Sequence, residues 1–321
     1  MILVVAPTDD LHACVVRERL VARGAGCVIW DSARFPWRGR LSWTSNDGAI
    51  ACVGETEFAL SEVTRIWWRR SRPPMVNPVV EDAHVRRFCA GEARELVRGV
   101  VLAGVPATND PSAEQRAESK ILQLTVAARV GLPVPPTVVS NDYDRLRAFV
   151  AAHPRSVIKT LRCDYVTSIP TRIIDERDLS DPSAVSLAPM IVQALVDCEA
   201  DVRVCVVGDQ VFAAAMRRPD RNENVDWRLT PSGWEPLSLP DAVSGKLRRL
   251  LHELALETGS FDLRLTSAGE YVFLEVNPSG QFLFLEVDAG LPVSEAMAAH
   301  LDRRPPKPRV AHPPRSASKS P

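Results

Sequence analysis

Three oxygen-bearing side chains in the C-terminal part of the chain have the types and spacing of a site for a hard metal ion. Glu275 and Asn277 stand two residues apart in the apolar run "VFLEVNP", and Asp262 lies in the preceding run "FDLRL". Alternate residues of a β-strand share a face, so Glu275 and Asn277 point the same way. A hairpin turn at "TSAGE" would lay Asp262 beside Glu275. Two carboxylates and an amide oxygen, with no His or Cys nearby, suit Mg²⁺.

The alternative interpretation of this stretch is a solvated strand end followed by an ordinary Asn-Pro turn. If Glu275 is considered by itself, the solvated strand end is the better interpretation. However, an unpaired carboxylate within an apolar strand is costly, and this favours a partner or a ligand. Because Mg²⁺ typically keeps water and phosphate oxygens as its other ligands, a metal here implies a bound nucleotide.

Basic residues that could meet phosphate occur in several predicted elements. Lys159 is the single charge in the apolar strand "SVIKTL", where a buried ammonium needs an anion, and a structural salt bridge is an equally good interpretation. Lys120 lies on a predicted helix, where a solvated lysine is the stronger alternative. The run "DVRV" places Asp201 and Arg203 on one strand face, and Arg217 ends the next strand, where arginines are often simply solvated.

The elements that must position these residues can be outlined from periodicity. The opening "ILVVA", a helical stretch and "CVIW" form a β-α-β unit, which is typical of a parallel sheet. A second helix is predicted from Ser112, as its N-cap, to Gly131, and this helix carries Lys120. The Gly208-Asp209 pair predicts a hairpin turn, and a second hairpin holds Asp262 and Glu275.

Length and composition limit the classes of protein. The 321 residues suffice for two or three compact units, and the net charge of −1 gives no case for nucleic acid. No apolar run reaches membrane-spanning length, and the start "MILVVAPTDD" has no basic region typical of a signal peptide. The seven cysteines form no CxxC, so we expect free thiols in a cytoplasmic protein and no zinc site.

The candidate site residues, in the order in which they occur, resemble those of the ATP-grasp carboxylate ligases. They are Lys120, Lys159, Gln193, Arg203, Asp262 and the pair Glu275 and Asn277. The blocks "IWWRR", "ESKILQLTVAARVGLPVPPTVVSND", "VIKTL" and "FLEVNPSGQFLFLE" look specifically like the ATP-grasp maturases of ribosomal peptides, the microviridin-type or graspetide synthetases. The resemblance covers residues 1 to about 302. It implies an α/β and α+β ATP-grasp fold with an N-terminal parallel α/β domain.

The resemblance also implies a division of the chain and a homodimer. The N-terminal α/β domain would occupy 1–109. The central ATP-grasp subdomain would occupy 110–190, and the C-terminal subdomain, with the metal and phosphate site, 191–304. The tail 305–321 is rich in Pro, Ser and basic residues and is expected to be disordered.

The implied chemistry uses ATP and Mg²⁺ to activate a side-chain carboxylate of a precursor peptide, with its leader and core, as an acyl phosphate. A Lys amine or a Ser/Thr hydroxyl of the same peptide then attacks, which closes an ω-amide or ω-ester ring. Through the resemblance, Lys120 and Lys159 would hold the ATP phosphates, and Gln193, Ala194 and Val196 would hold adenine.

The remaining assignments concern the metal and the transferred group. Asp262, Glu275 and Asn277 would bind Mg²⁺, whereas Arg203 and Arg217 would steady the phosphoryl group or the acceptor carboxylate. This sequence departs from the family pattern after the hinge glutamine, where Ala194 replaces the usual Glu, so Glu199 is assigned to the ribose. The loop "LRCDYVTSIPT" after Lys159 also lacks glycine.

Two rival functions remain open at this level. An ATP-grasp ligase that joins free amino acids, or adds them to a protein C-terminus, would use the same ATP-binding residues. A nucleotide-binding protein that descends from a ligase but has no catalytic activity is the alternative outside enzymes. The intact set of Asp262, Glu275 and Asn277 argues against it.

Overall fold

The computed structural model describes residues 1–46, 48–53, 56–161, 170–218 and 233–303. The N-terminal elements, in chain order, are β1 Ile2–Val5, α1 Leu11–Ala22, β2 Cys27–Trp30, β3 Arg40–Thr44, β4 Gly48–Val53, β5 Thr56–Ala59, β6 Arg65–Trp68, α2 Ala83–Leu102 and β7 Ala107–Thr108. Strands β2-β1-β6-β7 form a parallel sheet, and β3-β4-β5 form a separate antiparallel sheet. The parallel unit predicted from the opening sequence is confirmed.

The central elements contain an antiparallel sheet flanked by helices. They are α3 Pro111–Ala117, α4 Lys120–Arg129, β8 Thr137–Ser140, α5 Tyr143–Ala152, β9 Ser156–Lys159, β10 Arg172–Ile173, α6 Pro182–Ser186 and β11 Met190–Ala194. The sheet order is β10-β9-β11-β8, and its neighbouring strands are antiparallel. This sheet carries Lys159 on β9 and Gln193 on the adjacent strand β11.

The C-terminal elements build the larger antiparallel sheet. They are β12 Ala200–Val207, β13 Gln210–Arg217, β14 Glu235–Pro236, α7 Asp241–Glu253, β15 Thr258–Leu265, β16 Tyr271–Asn277, α8 Leu283–Ala289 and α9 Val293–Leu301. The order is β14-β13-β12-β15-β16, with both predicted hairpins in place. One face of this sheet packs on α4 and α7 through an apolar core that contains Phe261, Phe273, Leu247 and Leu250.

A second apolar core joins the N-terminal sheet to the C-terminal one. Ile2 and Trp67, from the parallel sheet, pack with Met216, Phe282 and Met297. Because Trp67 and Trp68 alternate faces on a strand, the sequence predicts that at least one of them lies in the core, and Trp67 is buried, with 3% of its surface exposed. The residues of the two sheet systems therefore meet through packed side chains.

The helix predicted from Ser112 to Gly131 is wrong in one respect, because the structure contains two helices there. Asp110 caps α3, with Pro111 as the first helical residue, and Ser119 caps α4. An Asp N-cap followed by Pro is a stronger start signal than Ser112. The break at Ser119 has a consequence for chemistry, since it makes Lys120 the first residue of a helix.

Other expectations differ in detail or lie outside the described residues. Helix α8, just after the "EVNPSG" block, was not predicted from the sequence. The sequence also predicts hairpin strands over 163–175. The described part of this stretch contains β10, whereas residues 162–169 lie outside the description, as does the tail 305–321. Among the helices in the described ranges, none combines the length and the apolar character needed to cross a bilayer.

We predict that Phe261→Ala lowers the free energy of unfolding by about 3–5 kcal/mol. Phe261 is fully buried, and its ring stands 6.4 Å from that of Phe273, so truncation leaves a cavity between the sheet and α7. Urea unfolding measures the change. Val287→Ala, at a position that is 83% exposed, is the control and should change stability by less than about 0.5 kcal/mol. Equal effects of both substitutions would contradict this account of the core.

Candidate functional site

One row of charged side chains crosses three strands of the C-terminal sheet. Arg203 on β12 pairs with Asp262 on β15, and Asp262 pairs with Glu275 on β16, each as direct cross-strand neighbours. The Nη1 atom of Arg203 donates to Oδ1 of Asp262 at 2.7 Å. Lys120, at the start of α4, donates from Nζ to Oε2 of Glu275 at 3.0 Å. The predicted pairing of Asp262 with Glu275 is confirmed, and the row reads cation, carboxylate, carboxylate, cation.

The adjacent row holds smaller polar groups and leads into the "NPSG" turn. Ser260 pairs with Asn277, and Oδ1 of Asn277 accepts the backbone N–H of Ser279 at 3.0 Å. The chain then passes very close to the charged row. A Cβ atom on Gly280 would lie 2.4 Å from Cβ of Ser260 and 2.8 Å from Nη2 of Arg203. Glycine is therefore required here by close approach.

Lys159 lies across from these rows, on the central sheet. Its Nζ donates to Oε1 of Gln193 at 2.8 Å, and Nε2 of Gln193 donates to Oγ1 of Thr137 at 2.8 Å. Burial lowers the pKa of Lys159 to about 8, while the negative charge of Glu275 acts in the opposite direction. The electrostatic influence of Glu275 on Lys159 places the central lysine within range of the charged row. An ammonium with a depressed pKa is stabilised by any anion that enters beside it.

The segment between β11 and β12 lies between the central and C-terminal sheets. Ala194 is the last residue of β11, and its N–H donates to the Pro136 carbonyl at 2.9 Å. Arg264 on β15 donates from Nη1 to the Val196 carbonyl at 2.8 Å and from Nε to Asp201 at 3.2 Å. Glu199 is exposed at the end of this segment. Arg264 thus ties the predicted adenine-binding segment to the charged face of the C-terminal sheet.

The structure sets Arg217 apart from the other candidates. Arg217 pairs with Ala200, three residues before Arg203 on β12, and an odd offset reverses the sheet face. It is exposed, whereas Arg203 is 3% exposed. The neighbouring Arg218 instead donates from Nε to Oδ2 of Asp201. The structure therefore brings Arg203, but not Arg217, into the charged row.

Glu114 was not predicted from the sequence, yet it contacts the turn that follows Asn277. It lies on α3, and its carboxylate accepts from Oγ of Ser279 at 3.1 Å and from Nδ2 of Asn109 at 3.4 Å. Burial raises the pKa of Glu114 to about 8, against the lowering effect of these hydrogen bonds. Nothing in the local pattern "SAEQRA" distinguishes this Glu from a surface residue, because its burial arises from a contact across 165 residues.

The N-terminal elements contact the same turn through a second group of residues. Nε2 of His12 accepts the N–H groups of Phe282 at 2.9 Å and Leu283 at 3.2 Å. Burial and the nearby Arg69 charge lower the pKa of His12 to about 3, which keeps the imidazole neutral and able to accept. Arg69 donates from Nε to Asp10 at 2.8 Å. The blocks "IWWRR" and "NPSGQF", far apart in sequence, are therefore neighbours in the fold.

The chemistry of the donors fits a hard cation at the end of β15 and β16. Asp262, Glu275 and Asn277 offer carboxylate and amide oxygens, which are the ligands that Mg²⁺ prefers. Within the described residues no ready cluster of three or more His, Cys, Asp or Glu side chains exists, so the set depends on the amide of Asn277. The Asn277 oxygen already accepts one N–H and keeps a second lone pair.

Comparison with known proteins adds independent information. No family model and no curated protein matches the sequence. Among solved structures, the chain is similar to the macrocyclase MdnC of Microcystis aeruginosa, bound with the precursor peptide MdnA. The TM-score is 0.86 and the identity 27%, over 94% of this chain and 99% of that one.

Two further structures extend the comparison. A RiPP-associated ATP-grasp ligase of Chryseobacterium gregarium, in complex with ADP and a leader and core peptide, has a TM-score of 0.84 and 24% identity, over 95% of this chain and 97% of that chain. The ATP-grasp ligase PsnB, with minimal precursor, Mg and ADP, has a TM-score of 0.76 and 26% identity, over 94% and 98%. The ATP-grasp fold and the predicted resemblance to ribosomal-peptide maturases are confirmed.

We predict that the stability of the protein falls as pH rises from about 4.5 to about 8, relative to the Glu114→Gln variant. Below pH 4.5 the Glu114 carboxyl is protonated in both states, and between 4.5 and about 8 only the unfolded chain releases its proton. The difference in unfolding free energy should change by on the order of 5 kcal/mol across this window. Urea titrations of both proteins at several pH values measure it. A difference that stays constant with pH would contradict the burial of an uncharged carboxyl.

Proposed function

We propose that the protein is an ATP-grasp ligase that activates side-chain carboxylates of a ribosomally made precursor peptide and closes ω-ester or ω-amide rings within it. The observation that carries this proposal is the row formed by Arg203, Asp262, Glu275 and Lys120, set opposite Lys159 on a second sheet. The row lies within a fold shared with peptide macrocyclases over nearly the whole chain.

ATP would lie between the central and C-terminal sheets. Lys120 and Lys159 would contact its phosphates, because each ammonium is partly buried and lies within range of the same carboxylate, Glu275. The segment from Ala194 to Val196 would contact adenine, with Gln193 holding Lys159 in place. Glu199, at the exposed end of that segment, would accept from the ribose hydroxyls.

Asp262, Glu275 and Asn277 would hold Mg²⁺, which when bound supplies charge that offsets the phosphate oxygens. Arg203 would then face the transferred phosphoryl group or the acceptor carboxylate. Its guanidinium is held by two fixed contacts, to Asp262 and, at 2.9 Å, to the Gln281 carbonyl, so it need not reorganise as negative charge develops. Arg217 would act only at the edge of the site, because it is exposed and belongs to the sheet face opposite to that of Arg203.

The reaction would proceed in two steps. An Asp or Glu side chain of the peptide attacks the γ-phosphorus of ATP, which releases ADP and gives an acyl phosphate. A Lys amine or Ser/Thr hydroxyl of the same peptide attacks that carbonyl, which releases phosphate and a proton and forms the ring. The protein positions the reactants and supplies charge, so no protein nucleophile is assigned.

We further propose that the chain divides into domains at 1–109, 110–190 and 191–304, that the protein is cytoplasmic, and that it forms a homodimer. The homodimer is proposed from the resemblance alone.

A mass spectrum tests the proposal directly. The protein is incubated with ATP, Mg²⁺ and the short peptide encoded beside it, and the expected product has lost one water for each ring. Glu275→Gln should abolish this loss while ATP binding persists, because the substitution removes a ligand charge and keeps the shape. Glu270→Gln, exposed on the same hairpin, is the matched control and should remain active.

Other outcomes would contradict the proposal. A mass gain equal to an amino acid would identify a ligase that joins free amino acids or adds them to a protein C-terminus. ATP binding by a wild-type protein that never changes the peptide would favour the nucleotide-binding protein without catalytic activity.

We predict that ATP binding near pH 8 is accompanied by proton uptake at Lys159. With a pKa of about 8, the free protein carries this ammonium about half protonated, and phosphate raises the pKa toward its ordinary value of 10.5. Titration calorimetry in two buffers of different ionisation enthalpy measures the uptake, which should approach about 0.5 proton. Lys159→Met should remove it. Identical uptake in the variant would show that another group titrates.

A further inference from the structure

A groove on the N-terminal domain lies outside the site already described. Its volume is about 500 Å³, and Trp37, Met75 and Val76 line it together with Arg86 and Arg87 from the first turns of α2. Pro74 and Ala90 complete the apolar lining, and both charged lining residues are arginines. Met75 is 43% exposed, which is a high value for an apolar side chain beside a groove.

A short stretch of chain leads from Arg69, which lies over the ring of Phe282 after the "NPSG" turn, to the groove. The segment from Arg69, which contacts Asp10, to Met75 is six residues long, so its ends are at most about 20 Å apart. The Met75 N–H donates to the Ala33 carbonyl at 2.7 Å, which holds the segment against the domain. A peptide with one carboxylate at the site can therefore place a flanking segment in the groove.

The charge of the groove selects the kind of partner. Arg87 and Arg86 are exposed, and Arg38 adds a guanidinium 4.4 Å above the Trp37 ring. The acidic residue nearest in sequence, Asp82, is occupied as the N-cap of α2, where it accepts from the N–H groups of His84 and Val85. Basic groups around an apolar floor favour a segment that carries both carboxylates and apolar side chains.

We propose that this groove binds an acidic, apolar-containing segment of the precursor peptide that flanks the carboxylate being activated. The proposal rests on the proposed function, since it assigns a second contact to the same substrate. The groove adds binding energy in the ground state and the transition state alike, so it acts on KM rather than on kcat.

The test compares charge reversal in the groove with charge reversal elsewhere. Arg86→Glu combined with Arg87→Glu should raise KM for the precursor peptide about tenfold or more with kcat unchanged. Trp37→Ala should raise KM in the same direction. The control is Arg249→Glu, at an exposed position on α7, and it should leave both constants unchanged.

Direct binding is followed by the fluorescence anisotropy of two fluorescein-labelled peptides, one of alternating Glu and Leu and one of alternating Gln and Leu. The Glu peptide should bind the wild type more tightly, and the groove variant should lose this preference.

Two results would overturn the assignment. An unchanged KM in the groove variant, in a protein that still cyclises the peptide, would remove the groove proposal and leave the ligase function standing. A change in oligomeric mass on sedimentation, with KM unchanged, would show that the groove is instead a contact between copies of this chain. Conversely, preferential binding of the Glu peptide at the groove by a protein that never changes the precursor would support the groove and overturn the ligase.

Discussion

The cross-strand register of β12, β15 and β16 is the constraint on which the candidate site depends. It aligns Arg203, Asp262 and Glu275 in one row, and a slip of one residue would send each side chain to the opposite face. The opposite face of the sheet is the apolar core around Phe261. The same burial that stabilises the sheet therefore fixes the register of the charged row. The buried Arg203–Asp262 pair itself adds little net stability, because the cost of desolvating both charges offsets most of their attraction. A role in binding and catalysis therefore explains its placement better than a contribution to stability.

The row could be predicted from sequence because its signals are local. Strand alternation places Glu275 with Asn277, a short turn brings Asp262 back, and a lone lysine in an apolar strand marks Lys159. The residues that complete the site could not be found this way. Glu114, His12 and Arg264 look ordinary in their own segments, and each obtains its role from a partner in a distant segment. Alternation applied to a strand without its register also could not separate Arg203 from Arg217.

The helix boundary at Ser119 shows how a local competition decides a functional position. One continuous helix from Ser112 would place Lys120 in the third turn, with its carbonyl and amide in the helix ladder. The Asp110-Pro111 start and the Ser119 cap divide the stretch and place Lys120 at a helix N-terminus. There the ammonium lies against Glu275, and the local helix dipole favours an anion. The sequence contained both capping signals, and the apolar periodicity across them concealed the break.

The resting contacts of the lysines also explain how a nucleotide can enter without leaving buried charge uncompensated. Lys120 holds Glu275 at 3.0 Å, and Lys159 holds Gln193 at 2.8 Å. On the proposed function, phosphate takes the lysines as partners while a divalent cation takes the carboxylates. For Lys120 this exchange replaces one ion contact by another, whereas Lys159 exchanges a neutral hydrogen-bond acceptor for an anion. Burial lowers the pKa of Lys159 to about 8, and its resting partner Gln193 carries no charge, so an anion that arrives beside this lysine stabilises its ammonium form.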